Sequence, residues 1–236
     1  MDTHLALGLV EHYYGWDVER EERHLRRAIE LAPRDAAGYS WLALMLSVGD
    51  RREESYAFGK QAVELEPLSA STHVNAAMPY YFARRYPEAL EGFRKAVHVD
   101  PSSVYALFSV GLACLSSGAC DEGIAALERL VAQTDRQMSW ALALLGATFA
   151  AAGKTADARR LLAELDELEK RGYVPPLHRA FIHCHLGEVD QTVALLSRGL
   201  SERNAFYWAW VAWAPAFESV RADPRVQQLI AAIRPE

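Results

Sequence analysis

The sequence predicts an all-α solenoid of about six helix-turn-helix repeats closed by a C-terminal capping helix, and three observations carry that prediction. Pro33, Pro67 and Pro101 fall 34 residues apart, and each ends the same phrase, AIELAP, AVELEP and AVHVDP in turn. Gly118, Gly153 and Gly187 sit in turn-like stretches and continue the period at spacings of 35 and 34. Beyond Arg203 the pattern changes to a segment with no further turn glycine, which reads as a terminal cap. A unit of this length is a pair of helices that cannot bury its own apolar face, so copies must stack. With 51% apolar residues the chain has the side chains to fill one continuous core.

Taken in order, HLALGLVEHYYG supplies the first helix of repeat one, and WDVEREERHLRRAIELAP supplies its second. Repeats two and three run to Pro67 and Pro101, and repeats four to six are centred on Gly118, Gly153 and Gly187. The expected boundaries are residues 1–203 for the repeats and 204–236 for the cap, with no linker between them. In repeat three, Pro79 lies inside the first helix, removes one backbone hydrogen bond from the carbonyl of Asn75 and predicts a kink. The cap opens with Trp208, Trp210 and Trp213. Its helix starts at Asp223 as N-cap and Pro224 at the first position, with Val226, Leu229, Ile230 and Ile233 on one face. That face is expected to cover the last repeat. A homodimer through the C-terminal end is the competing use of the tryptophans.

The chain resembles the tetratricopeptide repeat family. The resemblance rests on Tyr86, Ala89, Phe93, Ala96 and Pro101 in repeat three and on Gly111, Gly118 and Leu127 in repeat four. Small residues are needed where two helix backbones approach closely, and a large residue fills the space beside them. Ser55 and Thr192 occupy the small-residue slot of their second helices, Asp135 replaces the proline, and repeat two carries one extra turn residue. The resemblance implies a right-handed α-α superhelix whose first helices line a concave side. It also implies which positions face a ligand. These are Val10, Tyr13 and Tyr14 in repeat one; Val74, Met78, Tyr81 and Phe82 in repeat three; and Tyr105, Phe108 and Leu112 in repeat four. Trp140 follows in repeat five, and Phe181, Cys184 and His185 in repeat six. So aromatic a set points to a groove for an apolar or amphipathic peptide segment of a protein partner. Packing between repeats is the other use of the same side chains. The Lys, Arg and Asn of a carboxylate clamp are replaced by Val, Tyr, Phe and Ala, with Asn75 the one amide nearby, so no carboxylate-clamp ligand is expected.

The run KRGYVPPLHRAFIHCHLGEVDQTVALLSRGLSER, followed by ADPRVQQLIAAI, is similar to the C-terminal repeats of multidomain bacterial signalling proteins. There such repeats are the regulatory half beside a transcription regulator, cyclase or kinase, and that is the alternative function the resemblance implies.

Composition narrows the remaining classes. Against 25 Lys+Arg stand 31 Asp+Glu, a net charge of −6, which argues against nucleic acid as a partner held through bulk charge. The start MDTHLALG lacks a secretory pattern, and WALALLGATFAAA is too short to span a bilayer, so a cytoplasmic protein without a membrane partner is expected. Cys114, Cys120 and Cys184 have spacings unlike a paired metal or redox motif and read as ordinary thiols. His178, His183 and His185 form the one run of metal-capable side chains, but residues two apart on a helix diverge by about 200° and do not converge on an ion. Arg51, Arg52, Arg84, Arg85 and Lys154 recur in the turns, where a cation complements the helix C-terminus. No phosphate loop, nucleophile elbow or HExxH motif is present, so neither a cofactor nor an enzymatic activity is predicted. A metal-dependent enzyme built on the histidines is the contrasting hypothesis.

Overall fold

Each predicted hairpin is present in the computed structural model, which describes residues 3–12, 17–202, 211–212 and 214–233. Among the described residues six pairs of helices follow one another: α1 (Thr3–Val10) and α2 (Val18–Leu31), α3 (Ala36–Leu46) and α4 (Arg52–Leu65), α5 (Ala70–Phe82) and α6 (Tyr86–Val99). They continue with α7 (Val104–Ser117) and α8 (Cys120–Gln133), α9 (Ser139–Ala151) and α10 (Thr155–Glu169), α11 (Pro176–His185) and α12 (Val189–Ser201). A 3-10 turn at Pro215–Phe217, a short α13 (Glu218–Arg221) and α14 (Pro224–Ile233) follow among the described residues. No strand occurs among the described residues. The helices gather into two compact units, Met1–Ala106 and Leu107–Glu236. The tryptophans at 208, 210 and 213 lie outside the described residues.

Small residues hold the hairpins together at matching places. On second helices the small slot is filled by Ser55, Ala89, Gly123, Ala158 and Thr192, all buried. At Gly92 a Cβ would come within 2.5 Å of the Ala77 Cβ on α5, and at Gly111 within 2.5 Å of Leu127 on α8. Between successive first helices, α9 and α11, a Cβ on Gly146 would meet Ile182 at 2.5 Å. Backbones this close leave no room for a methyl group, so the sequence periodicity is a packing requirement. Ser55 keeps its slot by donating its hydroxyl to the Ala43 carbonyl across the hairpin at 2.6 Å. In repeat one the corresponding residue is Glu21, only 5% exposed, and it is matched by His12 at 2.8 Å.

Helix starts and stops follow local chemistry. Asp17, Asp35 and Ser69 accept from backbone N–H groups of the helices they precede. Asp223 does so for α14, and Arg225 beside it, through its guanidinium and its backbone N–H, lowers that carboxyl to a pKa of about 2. The helix α5 continues through Pro79. Four of the first helices and α8 end in the left-handed region, commonly with a bond closing back five residues. Lys154 N–H donates to Phe149 O at 2.9 Å, Glu188 to His183 at 3.0 Å, Arg85 to Tyr80 at 2.8 Å and Arg136 to Val131 at 3.0 Å. Gly118, Gly153 and Gly187 take this conformation freely at φ of 82°, 74° and 76°, whereas Arg84 adopts it at 61°. Arg84 thus stands 34 residues before Gly118, at the turn-glycine position of repeat three.

Several turn and second-helix arginines form ion pairs. Arg51 joins Glu22 at 2.8 Å and also Glu54, which Arg26 reaches from α2. In the second unit Arg136 places two nitrogens 2.6 Å from the two oxygens of Glu164, and Arg159 meets Glu188 at 2.6 Å. Apart from Arg51–Glu54, these pairs link residues 28 or 29 apart, one repeat to the next. Exposed pairs of this kind each contribute about 0–1 kcal/mol, so they register the repeats more than they stabilise them. Replacing Arg84 by glycine is expected to raise stability by about 0.5–1 kcal/mol, while Gly153→Ala lowers it by about 1 kcal/mol. Urea unfolding of both variants checks this, and an Arg84→Gly chain no more stable than the parent would refute the equivalence of the turns.

Candidate functional site

The first helices carry the candidate side chains, and two stretches can be described, one in each unit. In the first unit a polar chain crosses three successive first helices. Asn75 on α5 donates its amide nitrogen to the Ser40 hydroxyl on α3 at 2.9 Å, and Tyr105 at the start of α7 donates its hydroxyl to the Asn75 amide oxygen at 2.8 Å. Ser40 and Asn75 are buried and Tyr105 is half-buried, so the hydrogen bonds replace the water these groups lose. In the second unit Phe108 on α7 and Trp140 on α9 meet edge to face, with centroids 4.6 Å apart and an 83° angle between rings. Both stay partly exposed.

No family model matches the sequence, and no curated protein does. Solved structures do. A tetratricopeptide repeat protein from Parabacteroides merdae superposes with a TM-score of 0.63 at 13% identity, over 98% of this chain and 82% of that one. PilF of Pseudomonas aeruginosa gives 0.61 at 16% identity, covering 98% and 96%, and a tetratricopeptide protein of Thermus thermophilus gives 0.57 at 16%, covering 98% and 96%. The chain has the tetratricopeptide-repeat fold.

Within that fold, six positions expected to face a ligand are core, Cys184 at 3% exposure among them. Val74, Tyr81 and Leu112 are 0% exposed, Met78 3% and Phe181 8%. The stripe Val74–Met78–Tyr81 lies on α5, which Gly92 brings against α6 and Gly59 against α4, so neighbouring helices close over it. Tyr81 lies beside Phe82 at 5.3 Å and Tyr86 at 6.2 Å. Leu112 follows Gly111, whose close contact with Leu127 seals that hairpin. Phe181 is covered from outside the repeats: Phe217 of the C-terminal segment meets it edge to face at 4.6 Å. Cys184 is buried by the same segment.

Of the other expected positions, Phe82, Tyr105, Phe108, Trp140 and His185 are half-buried, and Val10 is 52% exposed on α1. Tyr13 and Tyr14 lie outside the described residues. The structure brings Phe108 and Trp140 together. His185 instead hydrogen-bonds to the Phe181 carbonyl at 2.9 Å, and burial lowers its pKa.

The three histidines of α11 go to three different partners. His178 reaches the Ser139 hydroxyl at 3.0 Å, His183 pairs with Glu188, and His185 stays with its own helix. Cys114 and Cys184 are buried thiols, and burial raises the pKa of Cys184.

One aromatic group escaped the sequence framing. Tyr56 on α4 stacks on Tyr80 of α5 at 4.5 Å, and the Arg85 guanidinium lies over both rings, 5.7 and 4.9 Å from their centroids. Framing by first helices alone overlooks it because Tyr56 is on a second helix; an aromatic at a turn-proximal position followed by Arg in the next turn is the signal.

The His178 ring has its pKa lowered from 6.5 to about 4, first by burial, which disfavours the cation, and further by the charge of Arg179. Because the folded value lies below the unfolded one, the unfolded chain binds the proton more tightly between pH 6.5 and 4. The contribution is therefore fully present above pH 6.5 and is lost as pH falls through that window. Lowering the pH from 7.5 to 5 should cost the parent about 2 kcal/mol more than it costs a His178→Gln chain. Urea midpoints for both proteins at the two pH values measure this, and equal losses would show that the ring charges freely in the fold.

Proposed function

We propose that the chain is a protein-interaction module that holds an apolar or amphipathic peptide segment against its first helices. Phe108 and Trp140 make the aromatic contact. The observation that carries this reading is their edge-to-face pair, partly open to solvent on successive first helices, whereas Val74, Met78, Tyr81, Leu112 and Phe181 at equivalent positions are buried. Rigid aromatics give large contact area at little cost in rotamer freedom, which is why they dominate binding energy at such surfaces. The likeness in fold to tetratricopeptide proteins supports the reading, as does the absence of phosphate-loop and nucleophile motifs from the sequence. The ligand is not expected to be gripped by a terminal carboxylate. Asn75 already spends its amide nitrogen on Ser40 and its oxygen on Tyr105.

A peptide library selected on the immobilised chain supplies the test. Selected peptides should be rich in apolar residues. Phe108→Ala and Trp140→Ala should each weaken them by roughly 2 kcal/mol, about 30-fold in Kd, with helicity unchanged. Amidating the peptide C-terminus should leave affinity as it was. Tyr81→Ala, by contrast, is expected to cost about 3–5 kcal/mol of folding stability, because it empties a core site. Wild-type affinity in both the Phe108 and Trp140 variants would defeat the proposal.

A further inference from the structure

We propose that the face of α11 bearing Phe181 and Cys184 is a binding site for an apolar turn anchored by one phenylalanine, and that the chain's own segment Ala214–Val220 is its resident ligand. The inference rests on the interaction-module reading and assigns a ligand class and an occupant to repeat six. Family framing puts Phe181, Cys184 and His185 at ligand-facing positions of the last first helix. Phe217, fully buried, presses its edge on Phe181 at 4.6 Å with an 82° angle between rings. The Ser219 hydroxyl lies 3.2 Å from the Cys184 sulfur, and the thiol points to the Ala216 carbonyl at 3.9 Å. Ala214, Ala216 and Val220 are 0–4% exposed.

The segment sits there as a peptide would, not as a further repeat. It begins with Pro215 in a 3-10 turn, and its hydrogen bonds close on itself: Phe217 N–H donates to the Ala214 carbonyl at 3.1 Å, and the Arg221 guanidinium donates to the same oxygen. A turn folded on itself meets α11 through a single aromatic, its small neighbours and one hydroxyl. α14 has its own contacts with α12, where Arg225 pairs with Asp190 at 2.8 Å, and it also joins the turn through the Asp223 N–H bond to the Val220 carbonyl at 3.0 Å. The ring geometry at Phe217 reproduces the 4.6 Å, 83° arrangement of Phe108 and Trp140.

Cys184 serves as the reporter in the full chain carrying Cys120→Ser, with buried Cys114 as control for the fold. Phe217→Ala should speed labelling of Cys184 by a thiol reagent at least ~10-fold while Cys114 stays protected, and Phe217→Leu should give a smaller increase. A synthetic peptide of residues 214–221, added in trans at millimolar concentration, should restore protection to the Phe217→Ala chain. The same peptide carrying Phe217→Ala should not. Unchanged labelling, simultaneous exposure of Cys114, or failure of the peptide to protect would each overturn the proposal, by making the segment fixed core. Phe108→Ala and Trp140→Ala are expected to leave Cys184 labelling unaltered, so failure here and failure of the broader reading are read separately.

Discussion

Close approach of helix backbones at positions too tight for a side chain is the constraint on which the molecule depends. Wherever a Cβ on glycine would fall 2.5 Å from a neighbour, as at Gly92, Gly111 and Gly146, the partner is an apolar group of the adjoining helix, Ala77, Leu127 or Ile182. Contact at that range draws the flanking large residues, Phe93, Leu127 and Leu161, into full burial. It also limits what a polar residue in the slot can do. Ser55 must return its hydroxyl to the opposite backbone, and Glu21, the one acidic occupant, needs His12 within hydrogen-bonding distance. The repeat tolerates polarity only where a partner is built in.

The same tightness sets how much inner surface is left for a ligand. Once Ala77 and Gly92 draw α5 and α6 together, Val74, Met78 and Tyr81 lie in the seam between neighbours and lose their exposure. Part of what remains on the first helices of that unit is polar and already paired, as the Ser40–Asn75–Tyr105 chain shows, beside half-buried Phe82 and exposed Val10. In the second unit the balance differs. Small residues on α9, among them Ala141, Ala143 and Ala147, keep the helix deeply packed, while Trp140 at its start leans on Phe108 and stays partly exposed.

This explains what could be read in advance and what could not. The period, the six hairpins, the second-helix slots at Ala89, Phe93 and Ala96 and the Asp223–Pro224 start of α14 follow from local rules, since each depends on residues within one repeat. Burial of the α5 stripe does not, because it depends on how closely the next helix approaches, and the sequence marks that only indirectly through Gly59 and Gly92. The sequence places Arg84 in the third turn but does not mark its left-handed conformation, which a non-glycine residue takes when the closing bond, Arg85 to Tyr80, holds it there. The covering of Phe181 was further out of reach, since it is made by Phe217, 36 residues on and outside the periodic region.

Phe181 and Trp140 then present the same problem with opposite outcomes. Each is a large aromatic on a first helix beyond the reach of its own hairpin, and each receives the edge or face of one neighbouring ring at 4.6 Å. At Phe181 the chain adds a whole turn around that ring, with Ala214 and Ala216 excluding water, and exposure drops to 8%. At Trp140 the neighbour is Phe108 from the adjoining hairpin, and no comparable turn follows among the described residues, so part of the pair remains open. Apolar surface left uncovered costs about 25 cal/mol per Å², which any occupant with a suitable ring recovers on binding. The cap therefore illustrates, on this chain's own residues, the contact that an incoming aromatic would complete at Phe108 and Trp140.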